Sequence, residues 1–252
     1  MRTELAVDSV QMYVGGRWLD ASAGERFEAA SPATGRVIGS IPKGDREDAH
    51  RAVGAAADAA PGWGRASAFE RAAAMERIAG VIEARRDELA RALSEDQGKP
   101  LLAEAVAEVE ELLVYWRMAA ADATRLEGLM PPSVDAAKRV LVYRVPRGVV
   151  SVISPWNWPY TMAAELIAPA LAAGNTVVWN PASDTSLCSI RLAACIADAD
   201  LPPGVFNVVT GPGSVVGDEI AADPRVAAVG FVGSAQTGRR VAERGAGKDL
   251  LL

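Results

Sequence analysis

The sequence predicts an α/β protein, built on a doubly wound parallel sheet with an amino-terminal helical segment. Four apolar runs rich in β-branched residues lie in the second half of the chain, separated by helical stretches long enough for βαβ crossovers. Because these runs are mostly apolar, without a regular alternation of polar residues, we expect strands buried on both faces, as in a parallel sheet. The first half carries alanine-rich patterns with helical spacing instead. The predicted strands are residues 149–153, 176–179, 205–210 and 226–232.

The amino-terminal part, residues 1–137, is predicted to form a short hairpin and helices that pack on this sheet. Alternating apolar and polar residues around the Gly15-Gly16 pair predict the hairpin. The first helix is predicted to start on the acidic cap Asp45 and to end just before Pro61.

Two further helices are predicted before the sheet. A Ser67-x-x-Glu70 capping box opens the second, whose apolar residues keep helical spacing until Gly98 stops it. The third carries apolar residues at spacings of three and four from Leu102 to about Gly128.

Residues 138–148 mark the transition between the two halves of the chain. The run from Val140 to Val145 alternates as an exposed strand would, and Pro146 and Gly148 break it. Residues 149–252 then form the predicted Rossmann-like domain.

Composition and charge exclude several classes of protein. No run of about 20 uncharged apolar residues is available to span a bilayer. The formal net charge of −6 argues against binding to nucleic acid. His50 is the single histidine, and Cys188 and Cys195 are the two cysteines, so neither a zinc site nor a disulfide framework is expected. The first residues lack the pattern of a secretory signal, and we expect a cytoplasmic protein.

The loops that follow the four strands are the candidate ligand site, because ligands bind at the carboxyl ends of strands in such sheets. They are residues 154–159, 180–183, 211–213 and 233–234. The last opens a helix with Gly233 and Ser234, where free amides and the helix dipole favour a phosphate. Glycines at such turns also serve backbone geometry alone. The loops therefore indicate a nucleotide site without identifying it.

Asn157 lies in the unusual segment Ser154-Pro-Trp-Asn-Trp-Pro159. Its amide could donate a hydrogen bond to a developing oxyanion. The alternative is that Asn157 caps the following helix or satisfies loop carbonyls.

An ordered series of motifs resembles the amino-terminal half of the NAD(P)-dependent aldehyde dehydrogenase superfamily. The motifs are Met12-Tyr-Val-Gly-Gly-Arg-Trp18, Ser31-Pro-Ala-Thr-Gly35, Gly98-Lys-Pro100, Val145-Pro-Arg-Gly-Val149, Ser154-Pro-Trp-Asn-Trp-Pro159, Ala168-Pro-Ala-Leu-Ala-Ala-Gly-Asn175, Leu201-Pro-Pro-Gly204, Asn207-Val-Val-Thr-Gly211 and Phe231-Val-Gly-Ser234. The resemblance implies an oxidoreductase that converts an aldehyde to a carboxylic acid with NAD or NADP as hydride acceptor. It also implies a homo-oligomer, with residues 138–148 as a strand of the oligomerisation arm.

The resemblance assigns roles to individual residues. Asn157 resembles the family's oxyanion-hole asparagine. The positions implied to contact or support the cofactor are Ile153, Ser154, Trp156, Asn180, Ser183, Gly213, Gly217, Phe231, Gly233, Ser234 and Thr237.

Two of these positions depart from the family pattern. The family usually has lysine at position 180 and, in many NAD-preferring members, glutamate at position 183, where this chain has Asn180 and Ser183. A neutral pair neither attracts nor repels a 2′-phosphate, so the preference between NAD and NADP stays open.

The chain also stops at Leu252, where the family continues toward its general-base glutamate and nucleophilic cysteine. We therefore expect a truncated chain without its catalytic domain, inactive alone, in which Cys188 and Cys195 are packing residues. The alternative is a non-catalytic nucleotide-binding or interaction protein that pairs with a full-length relative.

Overall fold

The computed structural model describes residues 8–252. Ten strands are assigned: β1 Asp8–Ser9, β2 Met12–Val14, β3 Arg17–Leu19, β4 Arg26–Ala30, β5 Val37–Pro42, β6 Val149–Ile153, β7 Thr176–Asn180, β8 Phe206–Val208, β9 Val226–Phe231 and β10 Asp249–Leu251. The α-helices are α1 Arg46–Arg65, α2 Ala68–Ala84, α3 Arg86–Gln97, α4 Val106–Ala123, α5 Thr161–Ala172, α6 Ser186–Ala197, α7 Asp218–Ala222 and α8 Ala235–Arg244.

The central sheet has the order β10-β9-β6-β7-β8-β2-β3, and its first five strands are parallel. The predicted α/β class and parallel sheet are confirmed, and β6 has the predicted bounds. The chain runs from β6 to β7 and β8 in one direction and then returns to place β9 on the other side of β6. At such a reversal, between the carboxyl ends of β6 and β9 here, open α/β sheets bind ligands.

Three strands of this sheet, β2, β3 and β10, were not predicted as parts of it. The hairpin β2–β3 forms at the predicted Gly15-Gly16 turn, but it joins the sheet through a pairing of Tyr13 with Val208. At the other edge, β10 pairs in parallel with β9. Strands β1, β5 and β4 form a separate small sheet.

The first predicted helix boundary was wrong, because Pro61 lies inside α1. The helix continues to Arg65, and Trp63 in its last turn is buried, with its Nε1 donating to the Leu171 carbonyl at 3.0 Å. Burial of a large aromatic side chain outweighs the one helical hydrogen bond that proline cannot donate. The predicted caps Asp45 and Ser67 are confirmed, each in a capping box.

The other helical predictions need two corrections. The second helix is interrupted at Arg85, which has φ −109° and ψ 15° and separates α2 from α3. The third ends at Ala123, well before Gly128, and a π-helical turn over Leu101–Ala105 precedes it. Leu102 in that turn is exposed, so it does not pack in the core as its predicted helical spacing suggested.

Residues 138–148 do not form the predicted strand. Only one isolated antiparallel bridge joins Leu129 to Val142, through hydrogen bonds of 3.0 and 2.8 Å. A two-stranded ribbon without a third strand or a packed face is marginal, and the side chains from Val140 to Val145 are exposed.

The core lies on both faces of the central sheet. Helices α2, α4, α5 and α6 contribute to one apolar cluster, and α1, α7 and α8 contribute to the other. None of the helices in residues 8–252 is both long and apolar enough to cross a membrane.

Candidate functional site

The register of the parallel strands brings three predicted site residues into one row. Ile153 at the end of β6 pairs with Asn180 of β7 on one side and with Phe231 of β9 on the other. The loops after these strands therefore start side by side at the carboxyl edge of the sheet, as predicted for a ligand site.

The loop after β6 is fixed at its start by Ser154. The Ser154 side chain is buried, and its Oγ accepts a hydrogen bond from Trp179 Nε1 at 2.8 Å. Its backbone amide donates to the Asn180 carbonyl at 3.4 Å. Ser154 thus holds the loop against β7, and this bond occupies one lone pair of its hydroxyl.

A buried ion pair fixes the other end of the same loop. Lys99 Nζ lies 2.5 Å from Glu108 Oε2 and 3.4 Å from the centroid of the Trp158 ring. Glu108 Oε1 accepts hydrogen bonds from the amides of Tyr160, at 2.9 Å, and Thr161, at 3.3 Å. A carboxylate with two amide donors and an ammonium has the partners that a buried charge needs.

Asn157 lies between these two fixed ends, and its side chain is exposed. It does not cap α5, because Tyr160 is the N-cap residue and the first amides bond to Glu108 instead. The capping alternative for Asn157 is therefore wrong. Trp156, beside it, is 55% exposed, so the loop presents an amide and an indole at the surface from a rigid base.

Glu108 was missed by the sequence analysis, although a signal was present. It lies three residues after Ala105 and four before Leu112, within the buried face of the helical segment. A carboxylate in an apolar stripe predicts a buried partner, but nothing local identifies that partner as the amides of a loop 52 residues away.

Asn180 and Ser183 both bond to the loop that follows β8. Asn180 is 1% exposed, and its Nδ2 donates to the carbonyls of Val209 at 2.9 Å and Gly211 at 3.4 Å. Ser183 Oγ donates to the same Gly211 carbonyl at 3.3 Å. The Asn180 amide group therefore holds this loop, while the Ser183 side chain stays on the exposed edge.

The glycines at positions 213 and 217 lie on the turn beside Asn180. A Cβ added at Gly217 would lie 3.2 Å from Asn180 Oδ1, whereas one at Gly213 would lie 3.9 Å from it. Gly217 is buried and lets the segment approach β7, while Gly213 is exposed. The close approach to Asn180 therefore excludes a side chain at Gly217, whereas no neighbouring atom excludes one at Gly213.

Phe231 lies beneath the start of α8. It is 6% exposed, and a Cβ on Gly233 would lie 2.5 Å from its Cζ. A Cβ on Gly238 would lie 3.3 Å from its Cε1. Phe231 therefore supports the turn and the helix from below.

The first turn of α8 is exposed at the same edge. Ser234 is its N-cap, and its Oγ accepts from the Thr237 amide at 3.2 Å. The Ser234 hydroxyl also bonds to Thr237 Oγ1 at 3.0 Å. The helix amides before Thr237 have no intrahelical acceptor, which is the arrangement that favours an anion.

Both thiols belong to α6. Cys188 and Cys195 are buried. Burial raises the pKa of Cys188 well above its ordinary value and, as the largest cause, raises that of Cys195 to about 11. Neither thiol is a thiolate at neutral pH, so the expected packing role fits their surroundings.

Comparison with known proteins agrees with the motifs. A sequence model described as the aldehyde dehydrogenase family matches residues 18–252. Hydroxyisobutyraldehyde dehydrogenase of Mycolicibacterium austroafricanum is 44% identical over 236 residues, which are 93% of this chain and 46% of that protein. The NADP-dependent succinate-semialdehyde dehydrogenase of Escherichia coli is 39% identical over 240 residues, 95% of this chain and 49% of that protein.

Solved structures show the same relationship. An NAD-dependent aldehyde dehydrogenase from Sinorhizobium meliloti superposes with a TM-score of 0.93 at 39% identity, covering 96% of this chain and 49% of that one. An NADP-dependent enzyme from E. coli gives a TM-score of 0.94 at 38% identity, with 96% and 51% covered. The chain spans about half the length of the curated relatives that it matches. By sequence and by fold, this chain belongs to the aldehyde dehydrogenase family.

Proposed function

We propose that this chain binds NAD or NADP at the carboxyl edge of its central sheet and belongs to an enzyme that oxidises an aldehyde to a carboxylic acid. The row formed by Ile153, Asn180 and Phe231 carries this proposal, because it brings the loop of Asn157 and the open first turn of α8 to one crevice. One relative of this family is NAD-dependent and another NADP-dependent, which supports either cofactor.

The residues present suit a dinucleotide. The first turn of α8 would bind its pyrophosphate through backbone amides and the positive end of the helix dipole. The Asn180 and Ser183 side chains hold the loop at Gly211 that forms the neighbouring wall. When bound, NAD or NADP supplies the hydride acceptor.

Asn157 has the character of an oxyanion donor in this proposal. Its exposed amide is held between two anchored loop ends, so little reorganisation is needed when negative charge develops on an aldehyde oxygen. Of the substrate, we propose only that it carries an aldehyde group.

The chain of 252 residues is proposed to be inactive alone. The aldehyde carbon needs a nucleophile, and both thiols of this chain are buried with raised pKa values. We expect no aldehyde-dependent NADH or NADPH formation above the blank. Turnover abolished by Cys188→Ala or Cys195→Ala would contradict this expectation.

Calorimetric titration of the chain with NAD and NADP tests the binding proposal. Gly213→Leu should weaken binding of both by more than about tenfold, because the side chain would fill the groove while its Cβ meets no atom closer than 3.9 Å. Gly80→Leu is the matched control, since a Cβ at Gly80 meets nothing within 4 Å and α2 lies away from the site. Equal affinities for the two variants, or no binding by the wild type, would contradict the proposal.

A further inference from the structure

A groove runs along one side of helix α2 and is lined by none of the residues of the candidate nucleotide site. Its wider part has a volume of about 650 Å³ and lies between α2, the end of α1 and the loop that contains Pro202 and Pro203. A narrower part of about 440 Å³ shares Arg77 and Asp200 with it and reaches Arg85. The groove therefore follows α2 for most of its length.

The α2 side of this groove is an exposed helix face. Spacings of three and four place five of its residues on one side of the helix, namely Glu70, Ala73, Arg77, Gly80 and Ala84. All five are exposed, and a Cβ built on Gly80 meets no atom within 4 Å. Within residues 8–252, no other element covers this face of α2.

The charges on this face complement themselves when two copies of the helix run antiparallel. Glu70 and Arg77 lie seven residues apart, about 10 Å along the helix axis, with Ala73 close to their midpoint. When a second copy of α2 lies antiparallel to the first, with a two-fold axis at Ala73, each Glu70 faces the Arg77 of the other copy. A parallel pairing in register would instead bring like charges together.

Both charged side chains can make such a contact. Glu70 Oε2 accepts from the Ser67 amide at 2.7 Å, while no hydrogen bond in the described part of the chain uses Oε1. Arg77 Nε donates to the Ala199 carbonyl at 3.0 Å, which fixes the side chain and leaves its terminal amino groups open. Phe69, next to Glu70, is 77% exposed and offers an apolar surface beside the charges.

We propose that the α2 groove is an interaction surface for a second copy of this chain, in which two α2 helices pair antiparallel about a two-fold axis at Ala73. Each helix then lies along the groove of the other, with a Glu70–Arg77 pair on either side of the axis. This surface is distinct from residues 138–148, which the family resemblance assigns to oligomerisation. One helix from each copy buries a small area, so the dimer is weak and depends on concentration.

Sedimentation velocity of the chain over a range of micromolar concentrations tests this pairing. The wild type should pass from monomer to dimer as the concentration rises. Ala73→Glu should weaken dimerisation by more than about tenfold, because two carboxylates then meet at the axis. Ala107→Glu, exposed on α4 and outside the groove, is the matched control and should dimerise as the wild type does. Thermal unfolding of each variant establishes that it is folded.

Reversal of the charges separates this pairing from other modes of association. Glu70→Arg or Arg77→Glu alone should weaken the dimer by about tenfold, and the double variant should return to within about threefold of the wild type, because opposite charges face each other again. Three results would overturn the proposal: a wild type that stays monomeric, a dimer that Ala73→Glu leaves unchanged, or a folded double variant that associates no better than the single ones.

Discussion

At the scale of single residues, Asn180 and Ser183 give the candidate cofactor site a neutral wall. Both side chains bond to the Gly211 carbonyl, and Asn180 also bonds to Val209. Neither residue can supply the cation that would bind a 2′-phosphate or the anion that would repel it. Discrimination between NAD and NADP at this wall should therefore be weak.

The neutral wall predicts affinities for NAD and NADP within about tenfold of each other, or roughly 1.4 kcal/mol. Ser183→Glu should weaken NADP selectively, because its carboxylate repels the added phosphate, and Ser183→Gln should change both affinities alike. Fluorescence titration of Trp156 and its neighbours measures this. A wild-type preference beyond a hundredfold, or no response to Ser183→Glu, would assign the discrimination to another element.

Asp96, near the end of α3, predicts that the stability of the protein depends on pH, because its buried carboxyl group bonds to the start of α6. Its Oδ2 accepts from the Cys188 amide at 2.8 Å, yet burial raises its pKa from an ordinary 3.8 to about 6. The folded state thus favours the protonated acid, so this contribution to stability is complete below pH 3.8 and is lost as the pH rises through 6.

Asp96→Asn should therefore stabilise the protein above pH 6, by up to about 3 kcal/mol, and have little effect near pH 4. The asparagine keeps an oxygen for the Cys188 amide and needs no desolvated charge. Urea unfolding at pH 4, 6 and 8 measures the difference, with Glu95→Gln on the exposed side of the same helix as control. A variant that is less stable than the wild type at pH 8 would contradict this account of Asp96.

At the scale of elements, the loop after β6 owes its shape to α4 and the turn before it. Glu108 caps α5 from a neighbouring helix, and Lys99 holds both Glu108 and the Trp158 ring. The ion pair is buried, so its two charges depend on each other. These distant residues anchor the loop that carries Asn157, the proposed oxyanion donor.

This arrangement predicts strong coupling between Lys99 and Glu108. Lys99→Met or Glu108→Gln alone should lower the free energy of unfolding by about 3–5 kcal/mol, because each leaves an uncompensated buried group. The double variant should lose less than the sum of the two. The exposed pair of Arg117 and Glu83, 2.8 Å apart, is the control and should contribute less than about 1 kcal/mol. Additive losses for the buried pair would contradict the coupling.

The elements show which features local sequence determines. Strand β6 was predicted to the residue because a strand buried on both faces is largely apolar, and β6 is apolar at every position except Ser151. Pro61 misled the prediction because the burial of Trp63 extends α1 beyond it. The site loops follow from their positions after strands, but the bonds of Asn180 and Glu108 depend on segments about 30 and 50 residues away along the chain.

At the scale of the whole molecule, the described residues bring the loops after β6, β7 and β9 to one edge of the central sheet. The chain reverses between β8 and β9, and the two helices after these strands are joined by Arg240. The segment from Leu129 to Val145 lies outside the sheet with exposed apolar side chains. A dinucleotide should therefore cover the loops at the carboxyl edge of the sheet and leave that segment unchanged.

Hydrogen–deuterium exchange of the chain with and without saturating NAD tests the central claim most directly. We predict slower amide exchange in residues 211–217 and 233–238 and in the loop of Asn157, with no change in residues 126–145. These segments contain the amides and walls of the proposed crevice. Protection confined to another groove, such as the one lined by Trp63 and Pro202 between α1 and α2, or no protection at all, would contradict a dinucleotide site at the carboxyl edge of the sheet.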